Sequence, residues 1–208
     1  MNPPTHVLYL HGFRSSPSSA KAQFSAAWFA MHHPEILWCC PQLPASPKDS
    51  AALINALVQN WPHHSTVVIG SSLGGFYATW VAAKFGCKAV LLNPAVHPAR
   101  DLAKYIGEHP VWHKPEEKIF FDPSYIDELK DLYVGKGLMQ LTDSTIEPRL
   151  QDAPDMLAVI ATGDEVLDWR EMHAAYGHDR VRLIEGSDHA ISDFEVYLPG
   201  ILAFLGLS

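Results

Sequence analysis

The sequence predicts an α/β protein: a mostly parallel sheet of about six strands with helices on both faces. Three observations carry this prediction. Short apolar runs rich in Val, Ile and Leu recur along the chain and read as strands buried on both sides. Stretches with apolar residues at helical spacing separate them. At 208 residues and 48% hydrophobic, the chain suits one domain, 1–208, with a well-buried core.

The elements follow in order. His6 to Leu10 reads as the first strand, and Ser16-Pro17 opens a helix with Ser as N-cap and Pro at the first helical position. A strand over Ile36 to Cys40 precedes a second helix that starts at Ser46-Pro47-Lys48-Asp49 in the manner of a capping box. That helix carries Leu53, Ile54, Leu57 and Val58 at helical spacing and ends at Trp61-Pro62. Strands over Val67–Ile69, Ala89–Leu92, Leu157–Ala161 and Val181–Ile184, and a last helix from about Ser192 to Leu205, complete the set. Between Pro94 and Met156 no clear strand is visible, and the stretch holds several prolines with His97, His109, Trp112, His113, Phe120, Phe121, Tyr125 and Tyr133. It is too aromatic for disorder and too long for a plain connection, so residues from about 97 to 150 are expected to form a short cap-like insertion.

Gly70-Ser71-Ser72-Leu73-Gly74 lies where the strand at Val67–Ile69 gives way to the helical stretch Gly75–Ala83. A G-x-S-x-G pentapeptide in that setting is a nucleophile elbow, whose glycines let strand and helix backbones pass closely while the central serine projects above the sheet. Ser72 is therefore the candidate nucleophile. Such a serine needs a base and an acid to orient it, in the chain order Ser, Asp or Glu, His. Later strands end in Thr162-Gly163-Asp164-Glu165-Val166-Leu167-Asp168 and in Glu185-Gly186-Ser187-Asp188-His189. Asp164 is the expected acid and His189 the expected base. Glu165 is expected to face solvent, Asp168 to cap the following helix, and Asp188 to shape its loop. Backbone N–H groups of Leu73 and Phe13 are the expected oxyanion donors, while His11 is expected to brace the loop beside the pocket rather than act as a base. Trp112, Phe120, Phe121 and Tyr125 are expected, with His11, to line a substrate pocket.

Composition excludes several classes. The net charge of -8, from 15 basic and 23 acidic residues without a Lys/Arg run, argues against nucleic acid or an anionic membrane surface as partner. The N-terminus does not read as a signal peptide and no apolar run approaches a membrane span, so a cytoplasmic location is expected. Cys39, Cys40 and Cys87 read as reduced packing thiols. The pairs His32-His33 and His63-His64 lack zinc-site spacing and fall at predicted helix ends, so no metal and no cofactor are expected.

The elbow, the His11-Gly12-Phe13 loop, Asp164 and His189 resemble the α/β-hydrolase superfamily. More narrowly, Tyr9–Pro17, Pro41–Pro44, Gly70–Trp80, Asn93–Val96 and Thr162–Asp168 resemble the small bacterial YqiA-type esterases, with the likeness weakest from Ala99 to Glu147. Gly186-Ser187-Asp188-His189 departs from the neutral Gly-Asn-His type of loop expected there. The resemblance implies hydrolysis of a small-molecule carboxylic ester or thioester and leaves the substrate and oligomeric state open. An amidase with the same residues, or a non-catalytic binding module on the fold, are the alternatives.

Overall fold

The computed structural model describes residues 3–112, 114–134 and 155–207. The elements are β1 His6–Leu10, α1 Ala20–His32, β2 Leu37–Cys39, α2 Pro47–Val58, β3 Thr66–Ser71, α3 Leu73–Phe85, β4 Lys88–Leu92 and α4 Pro98–Leu102. There follow β5 Gly107–Val111, β6 Lys114–Phe121, α5 Tyr125–Asp131, β7 Met156–Ala161, α6 Trp169–Tyr176, β8 Val181–Ile184 and α7 Phe194–Leu205. Six strands form one sheet in the order β2-β1-β3-β4-β7-β8, and every neighbouring pair is parallel.

Period-two alternation divides each strand between two cores. Leu8 and Leu10, Val68, Ala89 and Leu91, and Ala158 and Ile160 face α2, α3, α5 and α6. Val7 and Tyr9, Val67 and Ile69, Val90 and Leu92, and Val159 and Ala161 face α1 and α7. Because both faces are covered, the strands carry apolar residues at consecutive positions, which is why they are visible in the sequence. After β1 the chain passes to β2 on one side and then returns to β3 on the other. This is a change of direction that opens a crevice at the carboxyl ends of β1 and β3.

Three expectations need correction. The first helix begins at Ala20 with Ser19 as N-cap, because Ser16 is used in a tight turn: its hydroxyl accepts from Ser18 N–H (3.1 Å) and its carbonyl from Ser19 N–H (3.1 Å). The second is the insertion, which contains an antiparallel β5–β6 hairpin where no strand was expected. Third, the helix after β3, expected from Gly75, starts at Leu73, immediately after Ser72. The Ser46 cap is as expected, its hydroxyl oxygen accepting from Asp49 N–H at 3.1 Å. The insertion docks there as well: Glu128 of α5 accepts from the Ser46 hydroxyl (2.7 Å) and from Lys48 N–H (3.0 Å), so a carboxylate sits at the positive end of α2. His113 and residues 135–150, part of the expected insertion, lie outside the described residues.

Candidate active site

Ser72 occupies the turn between β3 and α3 at φ 56° and ψ -118°, a strained conformation for a side-chain-bearing residue. The turn requires glycine on both sides. A Cβ on Gly70 would stand 2.2 Å from the Gly74 carbonyl oxygen, and one on Gly74 would stand 1.9 Å from that of Leu10. The β1 loop also presses on the serine, since a Cβ at Gly12 would lie 3.2 Å from the Ser72 Cβ.

Asp164 and His189 reach the same place from the ends of β7 and β8. His189 Nε2 lies 3.0 Å from Ser72 Oγ. Its Nδ1 donates to Asp164 Oδ2 at 2.8 Å, and the aspartate side chain is fully buried. The other carboxylate oxygen, Oδ1, accepts from Val166 N–H and Leu167 N–H, both at 2.8 Å. The carboxylate is thus held on both oxygens, which fixes the imidazole with Nε2 toward the serine. Asp168 caps α6 as expected, accepting from Arg170 N–H at 2.9 Å. Asp188 shapes the histidine loop through bonds from Ser192 N–H (2.8 Å) and its hydroxyl (2.6 Å), and that hydroxyl holds the Asp188 carboxyl below its ordinary range.

Phe13 follows Gly12 beside the serine, and Leu73 is the first residue of α3, so its N–H has no acceptor within the helix. His11 is buried. Its Nε2 accepts from Leu43 N–H at 3.1 Å and its Nδ1 donates to the Gly12 carbonyl at 3.0 Å, so the ring braces the loop that carries Phe13.

A cleft of about 950 Å³ opens over Ser72 and His189, with His11, Phe13, Tyr105 and Trp112 in its wall. The remaining expected pocket residues lie elsewhere. Phe121 is buried in the core, edge-on to Phe13 (5.4 Å) and Tyr125 (5.4 Å). Tyr125 packs there with it. Phe120 is exposed. Strand alternation explains this split: adjacent residues of β6 face opposite ways, and Phe121 faces inward.

The sequence reading missed two supports of the histidine. Asn93, wholly buried at the end of β4, donates from Nδ2 to the carbonyls of Asp188 (3.0 Å) and His189 (3.1 Å). Its Oδ1 accepts from Ala161 N–H at 2.8 Å, so one amide ties β4, β7 and the histidine loop together. Glu165, expected to face solvent, is exposed, yet its Oε2 accepts from His189 N–H at 3.0 Å. Lys21 of α1 also reaches the loop, donating to the Ala190 carbonyl. Burial pushes its ammonium down to about 8, against the pull of Asp188 and Asp164. Among the described residues no group of His, Cys, Asp and Glu is arranged to hold a metal ion, and no helix is long and apolar enough to cross a membrane.

The model of a family described as an uncharacterised protein family, UPF0227, matches residues 6–206. The chain belongs to UPF0227. Solved structures place the UPF0227 chain among the α/β hydrolases by fold. A putative hydrolase from Agrobacterium vitis superposes with a TM-score of 0.73 at 15% identity, covering 98% of this chain and 91% of that one. A structure from work on two metagenome-derived lipolytic enzymes, LipS and LipT, gives 0.67 at 20% identity over 98% and 94% of the two chains. The α/β hydrolase domain-containing protein 10 from mouse gives 0.65 at 14% identity over 99% and 92%.

Proposed function

We propose that this UPF0227 protein is a serine hydrolase that cleaves a small carboxylic ester or thioester through an acyl-enzyme. The observation that carries this reading is the unbroken chain from Ser72 Oγ to His189 Nε2 (3.0 Å) and from His189 Nδ1 to the buried Asp164 (2.8 Å). As Ser72 Oγ attacks the substrate carbonyl, His189 takes its proton, and Asp164 stabilises the imidazolium. The oxyanion receives the N–H groups of Phe13 and Leu73, the latter at the positive end of α3. Collapse of the intermediate expels the alcohol or thiol, which takes the proton from His189. Water then attacks the acyl-enzyme with His189 as base, releasing the acid and restoring Ser72 O–H. No step calls for a metal or cofactor.

An active-site-directed fluorophosphonate tests this directly. Labelling is expected at Ser72 and absent in Ser72→Ala, whose kcat on a short activated ester should fall by about 10⁴-fold or more. Folded wild-type protein that takes no label would overturn the hydrolase reading in favour of a binding module.

A further inference from the structure

Arg14 follows Phe13 in the loop assigned to the oxyanion, and nothing in the mechanism above uses its charge. Its backbone sits at φ 59°, in the left-handed region that a side chain such as arginine adopts only where its surroundings impose it. The end of β5 and the turn after it do the imposing. Arg14 Nε donates to the Pro110 carbonyl at 2.7 Å, and the Arg14 carbonyl accepts from Trp112 N–H at 2.9 Å. The guanidinium lies 4.2 Å from the centroid of the Trp112 ring. These contacts fix the plane of the group and engage Nε, leaving the edge formed by its two terminal amino groups for a planar, bidentate partner.

Arg14 lines the same cleft as Ser72 and His189, on a wall with Phe13, Tyr105 and Trp112. The cleft carries Arg14, Lys21 and Lys104 against Asp101, Glu165 and Glu195, and two of those three carboxylates are engaged. Lys104 adds a second cation, above the Tyr105 ring at 5.2 Å, while the wall's carboxylate, Asp101, is taken by Arg100 at 2.8 Å. Glu165, across the cleft, is engaged by the His189 N–H. Among the described residues no carboxylate pairs with Arg14. A cation held in orientation against an aromatic ring, with no carboxylate paired to it, is placed to take the opposite charge from a ligand.

We propose that Arg14, clamped between Trp112 and Pro110, binds an anionic group, a carboxylate or a phosphate, carried by the ester substrate, so that the enzyme selects charged esters over neutral ones of equal size. The proposal rests on the hydrolase reading and names the substrate class of that site. Trp112 then acts as the rest that holds the guanidinium in place, and Lys104 as a second attraction at the entrance.

The test compares kcat/KM for matched aryl esters. One series places a methyl, carboxylate or phosphonate at the end of an acyl chain of constant length; a second places the same groups on the alcohol side. Wild type is expected to favour a charged member of at least one series by about tenfold or more, with the advantage shrinking as salt is raised. Arg14→Gln should reduce kcat/KM for that ester about 10- to 100-fold more than for its neutral partner. Arg14→Lys should restore only part of the preference, because an ammonium lacks the two-pronged fork. Carboxylate against phosphonate identifies which anion is native. Wild type that favours the neutral ester in both series, or Arg14→Gln that lowers charged and neutral esters alike, would overturn the proposal and leave Arg14 as a brace for its loop. Fluorophosphonate labelling of Ser72 is read in parallel on every variant. If wild type is folded but neither labels nor turns over, the hydrolase reading has failed, and calorimetric titration with adipate and with inorganic phosphate then decides anion binding: an Arg14-dependent heat supports it and no heat with either ligand refutes it.

Discussion

Asp164 and Asp168 stand four positions apart and perform separable tasks. Asp164→Asn keeps the shape but offers an amide where His189 needs an acceptor, and kcat is expected to fall about 10²- to 10⁴-fold. Asp168→Asn is expected to lose about 1 kcal/mol of helix stability at most, with kcat close to wild type. Steady-state kinetics and thermal unfolding on the pair check both, and a reversed pattern would move the acid to Asp168. Asn93 invites a different substitution. Asn93→Asp tolerates the local φ of 42° and retains the acceptor for Ala161, but replaces the NH2 group and its two donated bonds by one oxygen that faces the carbonyls of Asp188 and His189. Burial raises the folded-state pKa of the new carboxyl, so its neutral form is favoured at low pH and stability is lost as pH rises through that pKa. The Tm deficit against wild type should therefore be larger at pH 8 than at pH 5. Ser72, Asp164 and His189 were legible because each ends a strand whose apolar run is visible. Asn93 was not, since its role depends on carbonyls about a hundred positions away in the chain, which no local pattern records.

At the scale of elements, the strands of the main sheet announced themselves and the hairpin did not. Gly-Glu-His-Pro-Val in β5 and Lys-Pro-Glu-Glu-Lys-Ile-Phe-Phe in β6 show neither a continuous apolar run nor regular alternation, because a two-stranded ribbon buries little of either face. Proline is tolerated there because edge strands have N–H positions that face away from any partner. The same ribbon splits its neighbouring phenylalanines. Phe121 is 1% exposed and Phe120 is 56% exposed. Phe121→Ala should cost about 3–5 kcal/mol and loosen the Phe13 loop against which it packs, whereas Phe120→Ala should stay within about 0.5 kcal/mol of wild type. Denaturant unfolding of the two variants measures the difference, and equal effects would mean the hairpin is seated the other way over.

For the molecule as a whole, alkaline pH acts on buried groups that ionise once released. Burial pushes the thiols of Cys87 and Cys40 up to about 11 and about 12, and it raises the Tyr9 and Tyr77 hydroxyls as well. Each folded-state pKa lies above the unfolded one, so the folded chain holds more protons in that window and its stability is present below about pH 9 and lost as pH rises through the folded values. Lys21 works in the opposite direction, its folded-state pKa being depressed, but it is one group against several. Tm should therefore fall between about pH 9 and 11, with a shallower fall in a Cys40→Ala, Cys87→Ala double variant. The sheet face covered by α1 and α7 joins the first helix to the last: Ala22 and Phe29 share a core with Ile201, Leu202, Leu205 and Leu207. Val7, Tyr9, Val67 and Ile69 are translated well before α7, so until that helix is made only α1 covers their face. His189 likewise follows Ser72 far along the chain, so the proposed nucleophile is translated long before its proposed base, and a polypeptide broken off between them carries the serine without the group that would take its proton.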